Sequence, residues 1–173
     1  GWDDLTREFD SCDAAIIATL DNQHAGPAIA CLNREWHVLI EKPMTGTILE
    51  AKELIEISKA KRVVLQAGYI ERFNPTIDAI KKLSINPMFI ECHRLSPFTF
   101  RSADIGVVMD LMIHDIDILL HITGSKVKKF DAIGVNVISD KEDIANVRMQ
   151  FQNGCVANVT ASRVSLTPMR KMR

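Results

Sequence analysis

Three short apolar runs, spaced by segments of helix length, fix most of what the first part of this chain can become. They are DAAIIAT (Asp13–Thr19), WHVLIE (Trp36–Glu41) and RVVLQAG (Arg62–Gly68). Between them, His24–Arg34 and Thr45–Lys61 read as helices. Strands separated by helices of this length build βαβ units, and hence a parallel sheet. Thr47 stands three residues before Glu50, a capping-box spacing, and Ile48, Ala51, Leu54, Ile55 and Ser58 mark an inner stripe on the second helix.

After Gly68 the pattern changes. Asn74-Pro75 opens a helix to about Leu83, and Met88–Leu95 is strand-like with partly alternating charges. A long apolar helix runs from about Val107 to Ile122 and is ended by Gly124. From Val127 onward the chain is strand-like. FDAIGVNVI is followed by ANVRMQF and CVANVTASRV, the last two joined by the hairpin signal Asn153-Gly154. The expected fold class is α/β: a parallel βαβ domain over residues 1–72, then an α+β domain over 73–173 with a largely antiparallel sheet. Both ends read as cut: Gly1-Trp2 opens a helix-like stretch just before a strand, and Met169–Arg173 follows straight after one. No G-x-G-x-x-G occurs.

Bulk properties narrow the function classes. The 173 residues are 47% hydrophobic and 25% charged, with a net charge of −1, which leaves no electrostatic footprint for nucleic acid. No apolar run approaches membrane-spanning length, and residues 1–20 lack a basic segment and cleavage site, so a cytoplasmic protein without a membrane span is expected. Cys12, Cys31, Cys92 and Cys155 are scattered, a pattern of reduced core thiols and of neither a disulfide frame nor a zinc knuckle.

The chemistry-bearing residues stand out by context. In VVMDLMIHDIDILLHI, Asp110 and His114 are one helical turn apart, and Asp117 and His121 continue that line amid apolar residues. Burying carboxylates and imidazoles costs several kcal/mol each unless they are paired or employed. Glu41-Lys42-Pro43 closes an apolar strand, where open α/β sheets place their ligand chemistry. Lys, Asp and His together form a proton-handling set. The plainer readings are an exposed Lys at a loop start and an ion pair inside a buried helix.

Three motifs carry a resemblance: EKP after a strand (Glu41–Pro43), G-x-x-E-R-F-N-P after a strand (Gly68–Pro75), and D-x-x-x-H on a helix (Asp110, His114). With these in order across nearly its whole length, the chain resembles the Gfo/Idh/MocA family. The resemblance implies an NAD(P)-dependent oxidoreductase acting on sugars or cyclitols, built from a Rossmann domain and a C-terminal α/β domain. More narrowly, HRLSPFTFRS (His93–Ser102), DLMIHDID (Asp110–Asp117) and NGCVANVTASRVS (Asn153–Ser165) are similar to a bacterial branch. That branch oxidises the 3-hydroxyl of UDP-N-acetylglucosamine for an amino-sugar lipid A. The chain departs from the family in lacking its glycine-rich first βαβ, so the Rossmann domain is expected to be partial, starting near the fourth strand. It also has Thr19-Leu20 where relatives carry Thr-Pro.

The resemblance also implies roles. His114 would accept the hydroxyl proton as hydride leaves, Lys42 would support it, and Asp110 would position the substrate; which of His114 and Lys42 is the formal base stays open. Asp117 and His121 are expected either to back the residues that contact substrate or to be structural. Thr19, Asn22, His24, Glu41, Lys42, Gln66 and Arg72 are the candidate cofactor-binding residues, although Thr19, Asn22 and His24 also suit a turn or N-cap. Asn74, Arg94, Arg101 and Arg163 are candidates for the sugar or nucleotide-sugar substrate, the arginines because their forks match phosphate oxygens. Asn74 is equally a natural N-cap before Pro75. The cofactor is NAD or NADP, the Lys42-Pro43 bond is expected to be cis, and a homo-oligomer through the C-terminal sheet is expected. For this chain by itself, without phosphate-binding glycines, weak NAD affinity is expected. Two rivals stand beside this reading: a metal-dependent hydrolase built on the His114-Asp115 dyad, and a non-catalytic Rossmann-like module.

Overall fold

The structure is a computed structural model, described here for residues 1–9, 11–83, 85–99 and 104–173. It divides into two compact units, Gly1–Tyr69 and Ile70–Arg173, so Ile70–Arg72 group with the second unit and not with the first.

In the first unit, β1 (Ala14–Ile17), β2 (His37–Ile40) and β3 (Leu65–Ala67) pair in parallel in that order. Helices α1 (Trp2–Arg7), α2 (Ala25–Asn33) and α3 (Ile48–Lys61) accompany them. The core is the cluster Ile17, Ala28, Cys31, Leu32, Trp36, Val38, Ile40 and Leu54. Each fully buried side chain of this size contributes roughly 1.5–3 kcal/mol. The capping box forms: Thr47 Oγ1 accepts the Glu50 N–H at 3.2 Å, and Glu50 Oε2 accepts the Thr47 N–H at 2.9 Å. The expected inner stripe of α3 holds only at Leu54 and Ser58, because Ile48 and Ile55 face outward.

The second unit begins with a 3-10 turn (Ile70–Phe73), α4 (Pro75–Lys82) and β4 (Phe89–Leu95). Asn74 caps α4, its Oδ1 accepting the Thr76 N–H at 3.0 Å. The long apolar helix is not one α-helix: Val108–Met112 is π-wound and runs into α5 (Ile113–Thr123), with the Ile113 N–H bonding Val108 O. Gly124 ends it in the left-handed region at φ +56°. Nor is the helix buried all round. Val107, Met112 and Leu119 are fully covered, but Met109 and Leu120 are 38% and 41% exposed.

Strands β5 (Val127–Val135), β6 (Ile144–Phe151), β7 (Val156–Ser162) and β8 (Met169–Met172) complete a sheet ordered β5-β6-β7-β4-β8. The pairings are antiparallel except β4 with β7, so the sheet is largely antiparallel as expected. Strand β8 corrects the expectation for Met169–Arg173: this stretch pairs with β4 from Cys92 to Leu95. Its short cationic sequence suits an edge strand, a type whose charges hide it from hydrophobic patterning. Ile90, Cys92, Val107, Met112, Leu119, Val147, Phe151 and Val159 lie in a core on one face of this sheet. Among the described residues no helix is long and apolar enough to cross a membrane.

Candidate active site

In the first unit the parallel pairing brings three strand ends together. The Glu41 N–H bonds Ile17 O at 2.9 Å and the Gly68 N–H bonds Ile40 O at 2.7 Å, so the residues leaving β2 lie between the ends of β1 and β3. This is the sheet edge where open α/β folds take their ligands. The backbone approach is close at Gly68, where a Cβ would meet Glu41 Oε2 and Ile40 O at 3.3 Å. Lys42 is half-buried on this edge, and the Lys42-Pro43 bond is cis.

His24 is 1% exposed, with Nδ1 2.8 Å from Pro43 O and Nε2 3.1 Å from Thr19 O. The ring is therefore a strut between the exit of β1 and the Lys-Pro turn. It was expected to touch cofactor, but both nitrogens face backbone carbonyls, so it serves the edge by holding it. The Thr19 hydroxyl donates to Gln23 O at 3.3 Å, Asn22 is exposed, and exposed Gln66 turns its amide to Ala67 O at 2.8 Å. Thr19, Asn22, Glu41, Lys42 and Gln66 thus lie on or beside the strand-end edge.

In the second unit Asp110 and His114 are both half-buried. Asp110 lies in the π-wound part and His114 in the α-helical part, so their four-residue spacing loses its simple α-helical meaning. Such π-turns occur often at functional sites. The buried carboxylates on this helix are instead Asp115 and Asp117. Asp115 meets Arg94 in a two-point fork, Nε–Oδ2 at 2.9 Å and Nη2–Oδ1 at 2.8 Å, with both side chains under a tenth exposed. Glu71 Oε1 adds a contact to Arg94 Nη1 at 3.4 Å and accepts from Arg170 at 2.9 Å. Burial works against the Arg94 charge, but Asp115 and Glu71 outweigh it and hold its pKa above the ordinary value. Asp117 pairs with Arg72 through Nε at 3.0 Å and through Nη2. Burial, with the charges of Lys81 and Arg72, pushes the His121 imidazole below its usual range.

These pairs redirect several expectations. Arg72 was expected at the cofactor, yet its fork holds Asp117. Arg94 and Arg163 were expected at substrate phosphates, yet both are buried against carboxylates of their own unit. Arg163 Nε donates to Asp143 Oδ1 at 2.8 Å, and its guanidinium lies 5.7 Å from the Phe98 ring centre. Each of these forks is engaged by a carboxylate of its own unit. Asn74 is exposed, its side-chain oxygen capping α4. Arg101 lies outside the described residues.

The ion-pair roles of Glu71, Asp115 and Asp143 went unnoticed in the sequence, where Asp115 was weighed only as a metal ligand beside His114. Glu71 and Asp115 stand inside quoted motifs, but their partners come from distant strands and leave no local pattern. The hydrolase rival loses a ligand here, since Asp115 is closed on Arg94. Among the described residues no three His, Cys, Asp or Glu side chains group to hold a metal.

Residues 1–69 match the model of the oxidoreductase family with an NAD-binding Rossmann fold, and residues 87–172 match the Gfo/Idh/MocA C-terminal domain. The UDP-N-acetylglucosamine 3-dehydrogenase of Acidithiobacillus ferrooxidans is 41% identical over 162 residues, covering 93% of this chain and 52% of that protein. Its solved structure superposes with a TM-score of 0.91 at 40% identity, over 100% of this chain and 56% of that one. The myo-inositol 2-dehydrogenase of Thermotoga maritima is 27% identical over 172 residues, covering 90% of this chain and 51% of the relative. The chain thus spans about half the length of the curated relatives it matches. With both halves matched, the chain belongs to the Gfo/Idh/MocA family of NAD-binding oxidoreductases.

Proposed function

We propose that the protein containing this chain oxidises a secondary hydroxyl of a nucleotide sugar, with the 3-hydroxyl of UDP-N-acetylglucosamine as the first candidate. The observation that carries the reading is Lys42, set between the ends of three parallel strands in a chain 41% identical to a UDP-N-acetylglucosamine 3-dehydrogenase. Thr19, Asn22, Glu41, Lys42 and Gln66 would hold the nicotinamide end of NAD, which supplies the hydride acceptor. His114 takes the hydroxyl proton as the carbon gives up hydride and becomes a ketone, Lys42 assists that transfer, and Asp110 orients the sugar. This requires Lys42 and His114, on separate units, to face one hydroxyl. Self-association through the outward face of the five-stranded sheet, which carries Asn146, Arg148, Asn158 and Thr160, belongs to the same proposal.

The test uses the full-length protein with NAD and UDP-N-acetylglucosamine, following NADH. His114→Ala should lower kcat by roughly 10²–10⁴-fold, the span of general acid–base catalysis, with NAD affinity unchanged. A near-normal rate in that variant removes the assignment.

A further inference from the structure

The stretch that opens the candidate catalytic helix is held from outside. Asp143 is fully buried, and its Oδ2 accepts the backbone N–H groups of Val137, Ile138 and Ser139 at 2.8, 2.7 and 2.9 Å. Its Oδ1 accepts the Ser139 hydroxyl and Arg163 Nε, both at 2.8 Å. These bonds fold the β5–β6 loop on itself; Arg163 Nη2 adds one to Ser139 Oγ at 2.8 Å, while Nη1 reaches out of the loop and donates to Ile105 O at 2.6 Å. The next link comes from Glu142, whose carbonyl accepts the Val107 N–H at 2.9 Å and whose Oε1 is 3.4 Å from the Val108 N. The Glu142 carboxylate lies against Gly106, where a Cβ would collide with it.

Loop closure alone explains the bonds within residues 137–143. It does not explain the links to Ile105, Val107 and Val108, which satisfy groups at a helix start that otherwise lack intrahelical partners. The π-turn begins at Val108, and Asp110 hangs two residues further on, its N–H on Gly106 O at 3.0 Å.

We propose that Glu142, anchored by the Asp143–Arg163 pair, is a positioning residue that fixes the start of the π-turn and so sets where Asp110 and His114 point. Gly106 belongs to the same device, since a Cβ there would displace the Glu142 carboxylate from its present position. The role in turnover rests on the dehydrogenase reading above. The anchoring itself does not.

Two measurements separate them. In this chain, amide hydrogen exchange over residues 107–114 should quicken in Glu142→Ala by roughly two- to thirtyfold, the scale of a lost helix cap, while β6 and β7 keep their protection. Glu142→Gln, which retains an oxygen acceptor, should restore most of that protection. In the full-length protein Glu142→Ala should lower kcat several-fold with KM for NAD and thermal midpoint nearly unchanged. Unchanged exchange over 107–114 overturns the proposal, and so does faster exchange with wild-type kcat. Absence of turnover in the wild-type protein would remove the dehydrogenase reading, and the exchange result would still decide whether Glu142 holds the turn.

Discussion

Asp115 shows how a side chain on this helix can matter without touching substrate. Its carboxylate closes on Arg94 beneath the five-stranded sheet, with a longer contact from Glu71 beside it. Replacing Asp115 by Ala leaves a buried cation whose main partner is gone, a change that costs about 3–5 kcal/mol. Urea unfolding should report a loss of that size, with Asp115→Asn losing less because one hydrogen-bond acceptor remains; a loss under about 1 kcal/mol would mean the pair is not a structural keystone. The sequence made the seam of Asp110, His114, Asp117 and His121 visible because polar residues broke an apolar periodicity. It did not show which of the helix's carboxylates close on an arginine. Arg94 lies on β4 and Arg72 on a 3-10 turn, and no spacing rule links either to the helix.

Local elements were legible where their determinants are local. Thr47 and Glu50 announced the cap of α3, Asn153-Gly154 announced the β6–β7 turn, and Gly124 announced the end of α5. The π-turn was not legible, because VVMDLM carries no composition that separates π from α winding and the groups that hold it lie more than 30 residues downstream. The β5–β6 loop, also invisible beforehand, makes a pH prediction. Burial alone would raise the Asp143 carboxyl, but the N–H groups of Ser139, Ile138 and Val137 and the Arg163 guanidinium outweigh it and hold it well below the usual carboxylate range. A carboxyl depressed in the folded state stabilises fully above its unfolded pKa, about 3.9, and that stability drains away as pH falls below it. The urea midpoint of the wild-type chain should therefore drop between pH 5 and pH 3 more steeply than that of Asp143→Asn. Parallel slopes for the two would show that this loop contributes nothing to acid stability.

Across the whole chain, two cores of unequal completeness follow from where the apolar residues fall. The second unit covers one face of a five-stranded sheet with a helix and buries residues from Ile90 to Ala161 in a single cluster. The first has three short strands, packs its core on one face, and leaves Ile16, Leu39 and Val64 exposed. Small units with a half-covered sheet bury too little surface to offset the entropy of ordering their backbone. Residues 70–173 made alone should therefore fold, giving a strand-rich circular dichroism spectrum and one cooperative urea transition. Residues 1–69 made alone should bind an apolar dye and unfold at low urea. The reverse order of stabilities would mean that the five-stranded sheet depends on the first unit, and that the alternation of strand and helix at the front of the chain is the better-determined half. The predicted order instead places the stable scaffold under Asp110 and His114. The Lys42 edge falls on the unit whose second sheet face still exposes apolar side chains, so its geometry should be the more sensitive of the two to what covers that face.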